Sequence, residues 1–248
     1  MLLTRFTQSL RRQDWATVLL ELVVLVVGIL LALQVDNWNE RRIELRQEKA
    51  LLESLYSDFQ ENSQIAVDRH EQYHQAEVAA LKLFEISAGN DGRGANAIYS
   101  LIDQAVFIRP PGFNSNTWDL LTASGQLTII RNGDLKKQIS AFYRLTSAYS
   151  NSLEKLVNER SDALSRYVAT YLDVPRYIHT IHPEDLDFLE FGDEEQIVLN
   201  ESARTELKNL SIEVWHVARD FRGNMNRTQE ILNEIRGSLS EELKRFES

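Results

Sequence analysis

Five histidines, many carboxylates and no cysteine are the groups this 248-residue chain offers for chemistry. His70 and His74 stand four apart, a spacing that puts both rings on one helix face and can chelate Zn²⁺ or Cu²⁺. The local acids, Glu71 and Glu77, read as surface residues. His179 and His182 precede Glu184 and Asp185. That group is loosely ligand-like, but its spacing fits no particular metal motif, and His216 reads as a residue beside a helix seam. The lack of cysteine excludes disulfides, thiolate metal sites and cysteine nucleophiles. No nucleophile elbow, phosphate loop or dinucleotide fingerprint occurs, and the glycines at 89, 92 and 94 lack a following Lys-Ser/Thr. The expectation is a non-enzymatic protein with no catalytic residue, metal or cofactor.

One carboxylate sits where carboxylates are rare. Glu21 is the only charge between Trp15 and Val35, inside LLELVVLVVGILLALQV at 19–35. At about 1.5 Å per residue, that helix spans roughly 31 Å, the thickness of a bilayer's hydrocarbon core. The run is longer than a signal peptide's apolar region and ends without an A-x-A site, so an uncleaved transmembrane helix is expected over residues 15–36. Trp15 and Trp38 stand at its two ends, where indole rings prefer the interface. Thr17, Glu21, Gly28 and Ala32 fall on one stripe, and Gly28 and Ala32 form a small-xxx-small pair that admits a neighbouring helix. The stripe is the expected contact with another membrane protein or a second copy.

Residues 1–35 carry a net +1 and residues 36–248 the remaining −11 of the chain's −10. An acidic domain without a basic stripe excludes nucleic acid as a partner. Arginine and lysine counts on the two sides of the span nearly tie. The short basic tail at 1–14 sets the expected orientation: N-terminus cytoplasmic and residues 37–248 in the periplasm of a bacterial inner membrane.

These positions need long helices. Leu45, Leu52, Leu55, Phe59, Ala66, Tyr73 and Ala80 follow a 3.5-residue seam interrupted by Asn62 and Arg69, so the first helix should continue from the span to about Ser87. Shorter helices are expected at about 95–108 and 118–124, the latter capped by the Asn-Ser-Asn-Thr run at 114–117. Asn132 should cap a helix running to Leu172, where Pro175 follows, with Leu135, Ile139, Phe142, Thr146, Tyr149, Leu153, Leu156, Ala163 and Tyr167 inward. Residues 173–198 read as a long acidic, aromatic loop. The last helix spans about 200–246, with Leu207, Leu210, Val214, Val217, Phe221, Thr228, Ile231 and Ile235 inward. The expected fold is all-α: a transmembrane helix continuing into an elongated antiparallel bundle of three long helices with shorter ones. Phe107, Phe113 and Trp118 around the helix break, with Tyr177, Phe188 and Phe191 in the loop, are the expected partner contacts, although the first cluster also suits a cap on the bundle's end.

Residues 21–40, ELVVLVVGILLALQVDNWNE, resemble the N-terminal signature of a family of uncharacterised bacterial single-pass membrane proteins, a domain of unknown function. Residues 117–143, TWDLLTASGQLTIIRNGDLKKQISAFY, are similar to a second stretch of that family. The resemblance implies architecture and membrane location, marks Glu21 and the 36–40 exit as family features, and carries over no catalytic residues. A structural accessory or assembly subunit of a larger complex, such as a respiratory, photosynthetic or transport assembly, is the leading expectation. A periplasmic sensor with a ligand pocket beside Arg144 or Arg160, signalling through a partner, is the alternative. A metal enzyme would need the histidine pairs to converge.

Overall fold

The computed structural model describes residues 15–89, 95–106, 108–182, 184 and 198–247, without the side chains of 15–19, 21, 95, 96 and 106. Regular structure among them is entirely helical: α1 (Trp15–Ser87), α2 (Ala95–Val106), α3 (Asn116–Ala123), a 3₁₀ turn (Gln126–Ile129), α4 (Gly133–Tyr171), α5 (Val174–Ile181) and α6 (Glu201–Lys244). The chain divides into two compact groups, Met1–Leu51 and Leu52–Ser248.

In the first group, α1 is one helix long and apolar enough to cross a membrane, near the N-terminus. Its apolar stretch has a mean hydropathy of 1.7, and none of it is buried. Leu45, placed on the inward seam by its spacing, is instead exposed.

In the second group, the 3.5-residue repeat of α1 holds from Leu52 through Leu55, Phe59, Asn62, Ala66, Tyr73, Ala76, Ala80 and Leu83, all buried. Burying each large apolar side chain there contributes about 1.5–3 kcal/mol. Of the residues expected inward on α6, Leu207, Leu210, Val214, Phe221 and Ile235 are buried, and three in its C-terminal half give way to neighbours. Ala218, Met225, Leu232 and Leu239 are buried, while Val217, Thr228 and Ile231 are half-buried at its flank. Contacts run in opposite order along α6 and its neighbours. Along α4, Gln138 meets Ser238, Tyr149 meets Phe221, and Arg160 meets Glu213. Along α1, Tyr56 meets Arg236, Tyr73 meets Phe221, and Phe84 meets Lys208.

The ends of these helices follow their residues. Asn132 accepts from the Asp134 and Leu135 amides at 3.0 Å each and starts α4, and Asn200 accepts from the Ala203 amide at 2.8 Å and starts α6. Gly89 (φ +80°) follows the end of α1 in the left-handed region that glycine tolerates. The expected loop from residue 173 opens with a helix instead. Asp173 accepts from the Arg176 amide at 3.1 Å, and Pro175 sits in the first turn of α5, where proline's missing N–H costs nothing. The proline that ends α4 therefore begins the next helix.

Candidate functional site

Three places answer to the residues singled out by sequence: the apolar face of α1, the junction around Trp118, and a cleft between α4 and α6. On α1, every side chain described from Leu22 to Val35 is exposed. A Cβ built on Gly28 would meet nothing within 4 Å, so the Gly28–Ala32 face is open. Trp38 is 63% exposed and lies beneath the Arg42 guanidinium, 5.7 Å from its ring centre. The side chains of Trp15, Thr17 and Glu21 lie outside the described residues, as do Phe107, Asp185, Phe188 and Phe191.

The junction is built around a loop held from three sides. Asn62, fully buried on α1, donates Nδ2 to the Asn114 carbonyl at 2.9 Å, and its Oδ1 accepts the Asn114 amide at 2.6 Å. The Tyr143 hydroxyl donates to the same carbonyl at 3.0 Å, and the Tyr73 hydroxyl donates to the Arg109 carbonyl at 2.7 Å. Asn62 is thus not a defect in the apolar seam but the residue that fixes the loop. Asp58 accepts the Thr117 amide at 3.1 Å, in the first turn of α3. Ser115, in the N-cap position, makes no capping bond; its hydroxyl donates to Asp119 at 2.6 Å. The expected local cap is therefore replaced in part by a carboxylate 59 positions away on α1, where it also suits the positive end of the α3 dipole.

Aromatic rings fill the space behind this loop. Trp118 is only 8% exposed and stacks on Tyr143 at 5.8 Å, Phe113 packs on Phe142 at 5.5 Å, and Phe59 meets both Phe142 and Tyr143. Trp118 is thus an internal pin with little surface left for a partner, and half-buried Phe113 leans on the same rings. Leu120, two residues along and so on the other side of α3, is 70% exposed. Tyr177 is half-buried beside Tyr99, 5.9 Å away; burial and then nearby Asp103 push its phenol up to about 12.

The histidines take separate roles. The His74 Nδ1 lies 3.2 Å from an Arg222 guanidinium nitrogen. A guanidinium can only donate, so Nδ1 faces this contact as the acceptor. Arg222 also approaches Glu77 at 3.0 Å. Glu77 is therefore buried within a polar cluster and not a surface acid, as its sequence context suggested. A cation beside Nδ1 opposes a metal ion at that atom. His182 lies 4.0 Å from Glu184, and His216 packs edge-on to Trp215 at 4.9 Å. Among the described residues, no three His, Asp or Glu side chains converge as metal ligands.

The cleft has a volume of about 310 Å³. Phe142, Leu145, Thr146 and Tyr149 line it from α4, and Asn224, Arg227, Thr228 and Ile231 from α6, together with Phe113. Both sets repeat at i, i+3, i+4 and i+7, the spacing of a single helix face. Neither Arg144 nor Arg160 takes part; Arg160 is ion-paired with Glu213. No protein-family model, curated protein or solved structure matches this chain. A functional reading therefore rests on geometry. Sequence inspection missed Asp58, Arg222 and Arg227, which look like ordinary charges on helical faces. The only signal in reach was the position of Asp58 one turn before the seam asparagine.

Proposed function

We propose that the chain is a non-enzymatic, single-pass protein of a bacterial inner membrane that serves as an accessory or assembly subunit of a larger membrane complex. In this reading, residues 15–36 cross the bilayer and the N-terminus is cytoplasmic. The domain behind them, an elongated antiparallel bundle of three long helices, is periplasmic. The family of uncharacterised single-pass membrane proteins that residues 21–40 resemble fits the same placement. The observation that carries the reading is the uncovered apolar face of α1, with an open small-residue stripe at Gly28 and Ala32.

A photo-crosslinking residue at Ala32, on the stripe, is compared with one at Leu30 on the opposite face. The proposal expects a discrete adduct with another membrane protein from Ala32 alone, lost in Glu21→Leu. Equal crosslinking from both faces, or none from either, overturns it. A second reading, a ligand-binding module that signals through a partner, is favoured by the cleft between α4 and α6.

A further inference from the structure

We propose that the cleft between α4 and α6 binds a small amphipathic monocarboxylate, with its apolar body between Phe113, Phe142, Leu145 and Ile231 and its carboxylate on Arg227. This rests on the second reading, the ligand-binding module, and is independent of the accessory-subunit proposal. At about 310 Å³ the cleft falls at the small end of ligand sites, which run from roughly 300 to 1,000 Å³. Two aromatic rings and two branched aliphatic side chains give it apolar walls suited to a phenyl or short alkyl group.

The polar groups choose the head. Arg227 is the sole charged residue in the lining and, among the described residues, has no ion-pair or hydrogen-bond partner. Arg160, Arg222 and Arg245 lie against glutamates, whereas Arg227 is exposed like Arg144 and Arg166; its place in the lining sets it apart from those two. Its planar guanidinium matches a carboxylate in a bidentate fork. The Tyr149 oxygen accepts from the Asn224 amide at 3.5 Å, which leaves its own hydrogen to donate into the cleft. Burial raises the Tyr149 phenol above its usual range, so it stays a donor at neutral pH. Thr146 and Thr228 direct their hydrogens to carbonyls of their own helices, at 2.9 Å each, and turn only lone pairs outward. One cation and one neutral donor suit a monoanion. A phosphate dianion lacks the second cation it would need, and Asp220, whose charge acts on Tyr149, opposes further negative charge. A cationic ligand would meet Arg227.

The test uses the full chain in nanodiscs of neutral lipid, with fluorine NMR of para-fluorophenylacetate and its neutral isostere para-fluorophenylacetamide, and empty nanodiscs as blank. The carboxylate should bind saturably and the amide at least about tenfold more weakly, the loss of one charge-assisted hydrogen bond. Arg227→Gln should bring the carboxylate down to the amide's affinity, and Ile231→Trp, which fills the cleft, should abolish binding of both. Arg219→Gln, beside Trp215 on another face, should change neither. Equal affinity for acid and amide, an unaffected Arg227→Gln protein, or no saturable binding overturns the proposal. None of these outcomes bears on the Ala32 crosslink, so the two readings fail separately.

Discussion

Replacing Asn62 by alanine removes two hydrogen bonds to one residue, yet the two losses are unequal. The Asn114 carbonyl keeps the Tyr143 hydroxyl at 3.0 Å. The Asn114 amide loses the only acceptor it has among the described residues, the Asn62 Oδ1 at 2.6 Å. An orphaned N–H costs about 1–3 kcal/mol and the second bond about 0.5–1.5 kcal/mol, so Asn62→Ala should lose about 2–4 kcal/mol. Tyr143→Phe withdraws one of two donors from a carbonyl that remains bonded to Asn62, and should cost only about 0.5–1.5 kcal/mol. Urea unfolding of the full chain in mild detergent, read by circular dichroism, gives both numbers. Hydrogen exchange over residues 108–117 shows where the loss falls. If Tyr143→Phe costs as much as Asn62→Ala, or Asn62→Ala unfolds within about 0.5 kcal/mol of wild type, the idea of a clamp through Asn114 is wrong.

Trp118→Ala should destabilise the same junction by about 3–5 kcal/mol, the usual range for a buried large aromatic, whereas Leu120→Ala, on the exposed side, should change stability by under about 0.5 kcal/mol; thermal melts compare them. Val26→Arg, in the middle of the apolar run, should add about 2.5–3.5 kcal/mol to membrane insertion and move protein into the carbonate-soluble fraction; unchanged retention in the membrane pellet would refute the spanning role of α1. Burial raises the Asp103 pKa, with His182 partly offsetting it, so folding disfavours its charged form. The stability cost is present above the folded pKa and disappears as pH falls below the ordinary carboxylate range. Asp103→Asn should therefore raise the melting temperature at pH 7.5 and lose that advantage at low pH, and a pH-independent difference would count against it.

Much of the helical layout was legible in the sequence because it depends on local chemistry. Asn132 and Asn200 cap through their own neighbours, and Gly89 sits where a left-handed residue ends a helix. The 3.5-residue repeat of α1 needs only the order of its apolar residues. What escaped inspection depends on partners distant in sequence. Glu77 looks like any helix-surface acid until Arg222, 145 positions later, is placed against it. Asp58 gives no sign that it serves another helix. On α6, Leu207, Leu210, Val214, Phe221 and Ile235 were placed inward by spacing and are buried, but Val217, Thr228 and Ile231 compete with Ala218, Met225 and Leu232 for the inward face, and only the packing partner decides. Proline in 173–176 carries two meanings, stop and start, and sequence inspection used only the first.

The Asp58 bond to the Thr117 amide has a consequence for the time course of folding. An eight-residue helix such as α3 is too short to persist by itself. Its first turn borrows a cap from a residue 59 positions earlier, so a long loop must close before that bond can form. The contact then belongs to the native side of the folding barrier. Asp58→Ala should leave the refolding rate nearly unchanged and accelerate unfolding, so the junction sets how long the native state lasts and not how quickly it is reached.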